Sequence, residues 1–283
     1  MNKHSNLTSP ARILSAGADV AALRRTPPRQ ANLVAVASGK GGVGKTWFSI
    51  TLSQALAGHG RRVLLLDGDL GLANVDVQLA MPPGHDLASV VAGKISLAEA
   101  ITTYSAGVLS FDVLAGRSGS GALDTLSRNQ IENLCNELIR SAVLYDHVIV
   151  DLAAGINSHM TPLFARIGKA LIVVTDDPTS ITDAYAMIKF LVTSYPEMDV
   201  RIIVNMAENR TQAEKTFNAV HRACGHFLQF TPTLAGHVLR DKHIPQAIRA
   251  QAPLLARYPQ SEAAVLVQQI ASSLLASGPR GLI

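Results

Sequence analysis

The sequence predicts an α/β fold: a mostly parallel central sheet with helices on both faces. Three observations predict it. Short apolar runs alternate along the chain with stretches of helical pattern, the order expected of crossover units in a parallel sheet. A glycine-rich loop over 39–46 follows the first apolar run and opens the first helical stretch. Two further apolar runs end in aspartate, at Asp67 and Asp151. In open α/β sheets, ligands gather at such strand ends.

The whole chain sets the frame. Its 283 residues suit one large domain with a short extension. Apolar residues make up 48% and charged residues 16%, a balance that supports a large core and excludes disorder by composition. No apolar run reaches the roughly 18 residues needed to span a bilayer. Residues 1–30 show neither an apolar h-region nor a cleavage signature, so the chain reads as cytoplasmic. Cys135 and Cys224 lie far apart with no CxxC, as two reduced structural thiols would. The nine histidines show no metal-ligand spacing.

Charge is placed unevenly. Residues 1–30 hold Lys3, Arg12, Arg24, Arg25 and Arg29 against Asp19 alone, which accounts for the whole net charge of +4. The high pI therefore reflects a tail and argues only weakly for a nucleic-acid-binding body. One stretch, 201–257, carries eight Lys or Arg against three Asp or Glu and leaves a local basic face open.

The elements follow in order. Residues 1–30 form a basic extension, with a short helix over 13–25 ended by Thr26-Pro27-Pro28. The domain occupies 31–283 and begins with the buried strand 33–37. Helices are expected over 45–58, 128–144, 180–194, 211–224 and 262–276. Strands are expected over 63–66, 108–114, 147–150, 170–174 and 200–204, with a flexible loop at 117–121.

The loop Gly39-Lys40-Gly41-Gly42-Val43-Gly44-Lys45-Thr46, with Trp47 next, fits the phosphate-loop pattern GxxxxGK[ST]. Glycines allow a tight path that aims several N–H groups at one anion. The following helix adds the positive end of its dipole. Lys45 is expected to neutralise β- and γ-phosphate charge, and the Thr46 hydroxyl to ligate Mg²⁺. ATP and Mg²⁺ are the implied cofactors.

The carboxylates complete the pattern. Asp67-Gly68-Asp69 closes the second strand, and Val148-Ile149-Val150 ends in Asp151. Acids beside a phosphate loop are costly unless metal or water compensates them. One can serve the metal shell and another can orient the attacking water. Asp151 matches an apolar strand ending in a metal-shell carboxylate. Asn205 closes the strand over 200–204, and its amide can donate and accept at once, as a purine edge requires.

With Lys40 inside it, the loop resembles the deviant phosphate loop of the MinD/ParA ATPases. That resemblance implies that Lys40 reaches across an ATP-bound homodimer to the partner's phosphates. It implies that Asp69 activates water, with Lys40 and Lys45 as the catalytic lysines. It places Asp67 with Thr46 and Asp151 at the metal or its switch, Gly155 near the γ-phosphate, and Asn205 on the adenine, flanked by 175–178. The family often has Thr after the strand-end Asp; Leu152 stands there in this chain, which puts fast hydrolysis in question more than ATP binding.

The resemblance covers about 33–276. The stretches 67–76 and 178–185, and the pattern 241–247 followed by 251–253 and 258–264, resemble the flagellar-number regulators of the MinD branch. A role in flagellar number or placement is then implied. The implied partners are a flagellar GTPase of the signal-recognition-particle type, basal-body components or a flagellar transcription activator. Residues 19–24 partly resemble the motif that engages the GTPase, one residue short and without its Gln. Relatives often end in a basic, membrane-binding amphipathic helix. Here the stretch 265–275 has an apolar face but no Lys or Arg opposite, so packing on the domain is favoured over a membrane surface. A DNA-partitioning ATPase stays open as an alternative; an iron–sulfur carrier and a small-molecule synthetase are weaker ones.

Overall fold

A computed structural model describes residues 29–69, 73–82, 86–107, 109–116, 127–156 and 161–276. The expected helix over 13–25, the motif at 19–24 and the loop at 117–121 lie outside the described residues.

Eight strands form one sheet: β1 (Gln30–Ser38), β2 (Val63–Gly68), β3 (Thr102–Ala106), β4 (Leu109–Leu114), β5 (His147–Ala154), β6 (Ile167–Val174), β7 (Asp199–Ala207) and β8 (Thr233–Leu239). Their order is β3-β4-β2-β5-β1-β6-β7-β8. Every neighbouring pair is parallel except β3 with β4. β1 thus sits centrally between β5 and β6, and it delivers the phosphate loop to the middle of the strands' carboxyl ends.

Strand periodicity divides the core in two. Leu33, Ala35 and Ala37 enter one layer, beneath helices Arg128–Ala142, Pro178–Ser194 and Arg210–Leu228. Val34 and Val36 enter the other, beneath helices Lys45–Gly58 and Glu262–Ala276. Both cysteines are free and buried in the first layer, and burial pushes each thiol up to about 11.

Helices Lys45–Gly58 and Glu262–Ala276 have the bounds read from sequence. Helix Pro178–Ser194 starts earlier than expected. Asp177 caps it, accepting from Thr179 N and Ser180 N, and Pro178 fits the first turn, where no N–H is needed. Helix Arg210–Leu228 runs four residues longer than expected at its C-terminal end. Helix Arg128–Ala142 stops two residues earlier than expected, leaving Val143 and Leu144 exposed.

Ala263, Ala264, Val267, Ile270, Ala271 and Leu274 of the last helix are buried against helix Lys45–Gly58 and β8. Its apolar face is thus turned onto the domain. Among the described residues, no helix is long and apolar enough to cross a membrane.

Candidate nucleotide site

The loop after β1 makes its turn through left-handed glycines. Gly42 and Gly44 have φ of 76° and 88°, where a side chain would be strained. A Cβ at Gly39 would collide with the backbone of Asp183, so this glycine lets the loop lie against helix Pro178–Ser194. Gly44 is the N-cap of helix Lys45–Gly58 and supplies no side-chain cap. The first-turn N–H groups at Lys45, Thr46 and Trp47 therefore face outward as anion donors. The Trp47 side chain is buried in the core with no partner for Nε1, so only its backbone can serve a nucleotide.

Lys45 is buried, and its Nζ donates to Ser38 Oγ at 2.8 Å. Ser38 in turn donates to the Lys40 carbonyl at 2.6 Å. Burial pulls the Lys45 pKa down, and the charges of Asp151 and Asp69 oppose that. Asp151, at the end of β5, accepts from Ser49 Oγ at 3.0 Å and from the Thr46 hydroxyl. Ser49 is not part of the phosphate-loop pattern. It lies three residues beyond Thr46, hence on the same helix face, and that spacing is the signal that could have found it. Leu152 is buried in the core, so both hydroxyls at Asp151 come from the phosphate-loop helix.

Asp67 and Asp151 are register partners on adjacent strands. Burial pushes Asp67 up to about 7, assisted by the Asp151 charge and opposed by backbone N–H groups of Val75, Asp69 and Asn74. Burial also pushes Asp151 up to about 6, against hydrogen bonds from Thr46 and Ser49 and the Lys45 charge. Asp69 is partly buried, close enough for its charge to act on both Lys45 and Asp151. Two carboxylates, Asp69 and Asp151, thus act on one buried ammonium, and Asp67 in turn lies within the field of Asp151.

This arrangement makes stability depend on pH. Raised carboxyl pKa values favour folding most below the ordinary carboxylate range, and the contribution fades as pH rises through about 6 and about 7. At about 1.4 kcal/mol per pKa unit, the metal-free protein should lose a few kcal/mol between about pH 4 and pH 7, where the unfolded carboxyls are ionised and the buried ones are not. That corresponds to roughly 5–10 °C in Tm. Thermal melts in a chelator test this, and Asp67→Asn should flatten the slope. An equal slope in that variant would show that the buried pair is not its source.

Gly155, at φ 81°, donates its N–H to the Ser38 carbonyl at 2.8 Å. The donor expected at the γ-phosphate is therefore engaged with β1 in this state. Asn205, at 1% exposure, donates Nδ2 to the Val43 carbonyl at 2.7 Å, while its Oδ1 is buried without a partner. A buried orphan acceptor is costly, and an amine such as the adenine N6 group would satisfy it.

Lys40 lies away from Lys45. Its Nζ is 2.6 Å from Thr179 Oγ1 and 3.0 Å from Asp177 Oδ2, at the start of helix Pro178–Ser194. The Thr179 hydroxyl and then Lys40 hold the Asp177 carboxyl well below the usual carboxylate range. Both partners are substantially exposed, and such pairs stabilise little, so the grip on Lys40 is releasable. In the flanking loop, Asp176 accepts from Gln212 Nε2 at 2.7 Å.

A nucleoside triphosphate with Mg²⁺ fits these residues. The glycine cradle and bare helix start suit phosphates. Thr46 and Asp151 offer the hard oxygen donors that Mg²⁺ prefers. The Asn205 Oδ1 lacks the donor that adenine carries. A central parallel sheet carrying such a loop at the strand ends defines a P-loop nucleotide-binding protein.

Comparison with known proteins agrees. Residues 34–254 match the model of the CobQ/CobB/MinD/ParA nucleotide binding domain, and the chain belongs to that family. It is 35% identical over 253 residues to the antiactivator FleN of Pseudomonas aeruginosa, covering 88% of this chain and 89% of FleN. It is 31% identical over 191 residues to the flagellum site-determining protein YlxH of Helicobacter pylori, covering 67% of this chain and 63% of YlxH. In fold it resembles septum site-determining MinD of Pyrococcus horikoshii, solved with Mg-ADP, with a TM-score of 0.72 at 22% identity over 89% of this chain and 99% of that one.

Proposed function

We propose that this chain is a Mg²⁺-dependent ATPase switch that dimerises with ATP and regulates the number or placement of flagella. The observation that carries the switch is Lys40. It sits inside the phosphate loop, yet it is held by Asp177 and Thr179 on a neighbouring helix rather than turned to Lys45. A lysine held beside its own site is available to another molecule's phosphates. The flagellar role rests on the likeness to FleN and YlxH.

In this reading Thr46 and Asp151 hold Mg²⁺, which supplies positive charge against the β- and γ-phosphates. Lys45 binds the same oxygens. Asp69 orients the attacking water. Asn205 reads adenine through its unpaired Oδ1. Asp177 releases Lys40, which then bridges to the second copy. The partners are a flagellar GTPase of the signal-recognition-particle type, basal-body components or a flagellar transcription activator.

Light scattering with ADP and with ATP tests the switch. Wild type should dimerise only with ATP, and Lys40→Ala should stay monomeric while still binding ATP. Asp177→Ala should dimerise at least as readily as wild type. A Lys40→Ala variant that dimerises normally would remove the bridge. The DNA-partitioning alternative has less support. Within the basic stretch, Arg201 is paired with Asp199 and Arg210 with Glu214. Steeply salt-dependent DNA binding in ATP alone would restore it.

A further inference from the structure

Asp67 does a different job from the other strand-end carboxylates. Its side chain is fully buried, and both oxygens accept from backbone N–H groups. Oδ1 accepts from Asp69 at 3.2 Å, and Oδ2 from Asn74 at 2.9 Å and Val75 at 3.0 Å. These donors bracket residues 70–72, so one carboxylate ties together both ends of the segment that carries Asp69. Ala73 and Val75 are buried beside it. Gly116, after β4, makes room: a Cβ there would lie 2.5 Å from the Ala73 Cβ and 3.3 Å from the Asp67 Cγ.

Asp151 contrasts with this. Its partners are the hydroxyls of Thr46 and Ser49, which can rotate to face a cation. Freeing Asp67 for a metal would require pulling apart the backbone on both sides of residues 70–72. We propose that Asp67 is a positioning residue, a staple that joins Asp69 to Asn74 and Val75 and so aims Asp69, and that Thr46 and Asp151 hold the metal without it. This rests on the ATPase reading above.

The test uses the full chain, a fluorescent ATP analogue titrated with Mg²⁺, phosphate release, and amide exchange over 69–75. Asp67→Asn and Gly116→Ala should each lower turnover about tenfold or more. Their Mg²⁺ midpoints for nucleotide binding should stay within about twofold of wild type, whereas Asp151→Asn should shift its midpoint by about tenfold. Exchange at Asp69, Asn74 and Val75 should quicken in both staple variants. A Mg²⁺ midpoint for Asp67→Asn that moves as far as that of Asp151→Asn would overturn the staple. So would normal turnover in Gly116→Ala, which keeps the carboxylate and carries the test if Asp67→Asn does not fold. A wild type that binds no nucleotide would instead sink the ATPase reading.

Discussion

Lys45→Ala should weaken ATP binding by about 100-fold or more, equivalent to roughly 2.7 kcal/mol, and turnover should vanish with it. The ammonium is buried and bonded to Ser38 Oγ, which fixes it at the loop. It is the cation whose charge reaches Asp151, and it is itself under the field of Asp69. Removing it takes away a charged hydrogen bond to phosphate, typically about 1.5–3 kcal/mol. It also leaves the carboxylates facing the incoming anion without a counter-charge. Lys45→Arg should not rescue, because a planar guanidinium differs in shape from the compact ammonium this buried position holds. Calorimetric titration with a non-hydrolysable ATP analogue measures the loss. An affinity within about threefold of wild type would show that the helix start and loop amides bind the phosphates alone.

The phosphate loop is legible in sequence because its chemistry is local: glycines, lysine and threonine within eight positions, between a strand and a helix. The central strands are legible because burial on both faces demands an unbroken apolar run. The edges are not. β3 is mostly exposed and has no such run, and β8 contains Gly236 and His237 with only Val238 buried. The site divides in the same way. Ser49 meets Asp151 across 102 positions, and Lys40 meets Thr179 across 139, pairings that only the crossover connections create. The extra lysine is visible in the loop, but the residues that hold it are not. Asp67 shows the limit most clearly. Its position at a strand end suggests a metal, and only the three backbone donors suggest a staple.

Asp69→Ala should reduce hydrolysis by about 100-fold or more while leaving ATP binding within a few-fold of wild type. Asp69 is partly buried and its backbone N–H is fixed by Asp67, so its carboxylate projects from a held position toward the Lys45 and Asp151 end of the site. Removing a positioned base typically costs two to four orders of magnitude in rate, roughly 3–5 kcal/mol, without touching groups that bind the ground state. Asp151 cannot take over, because in the proposed mechanism it serves Mg²⁺ together with Thr46 and lies beside the phosphate-loop helix through Ser49. With hydrolysis blocked, ATP has no route to reset the pair, so the variant should accumulate as a persistent dimer. The combination Lys40→Ala with Asp69→Ala should return to monomer, because a locked γ-phosphate still needs the bridging lysine. Single-turnover phosphate release and light scattering on the same sample separate these effects. If Asp69→Ala hydrolyses ATP at the wild-type rate, water is oriented elsewhere and Asp69 shapes only the field around Lys45. If it is inactive yet remains monomeric in ATP, the carboxylate is required for closure as well as for chemistry.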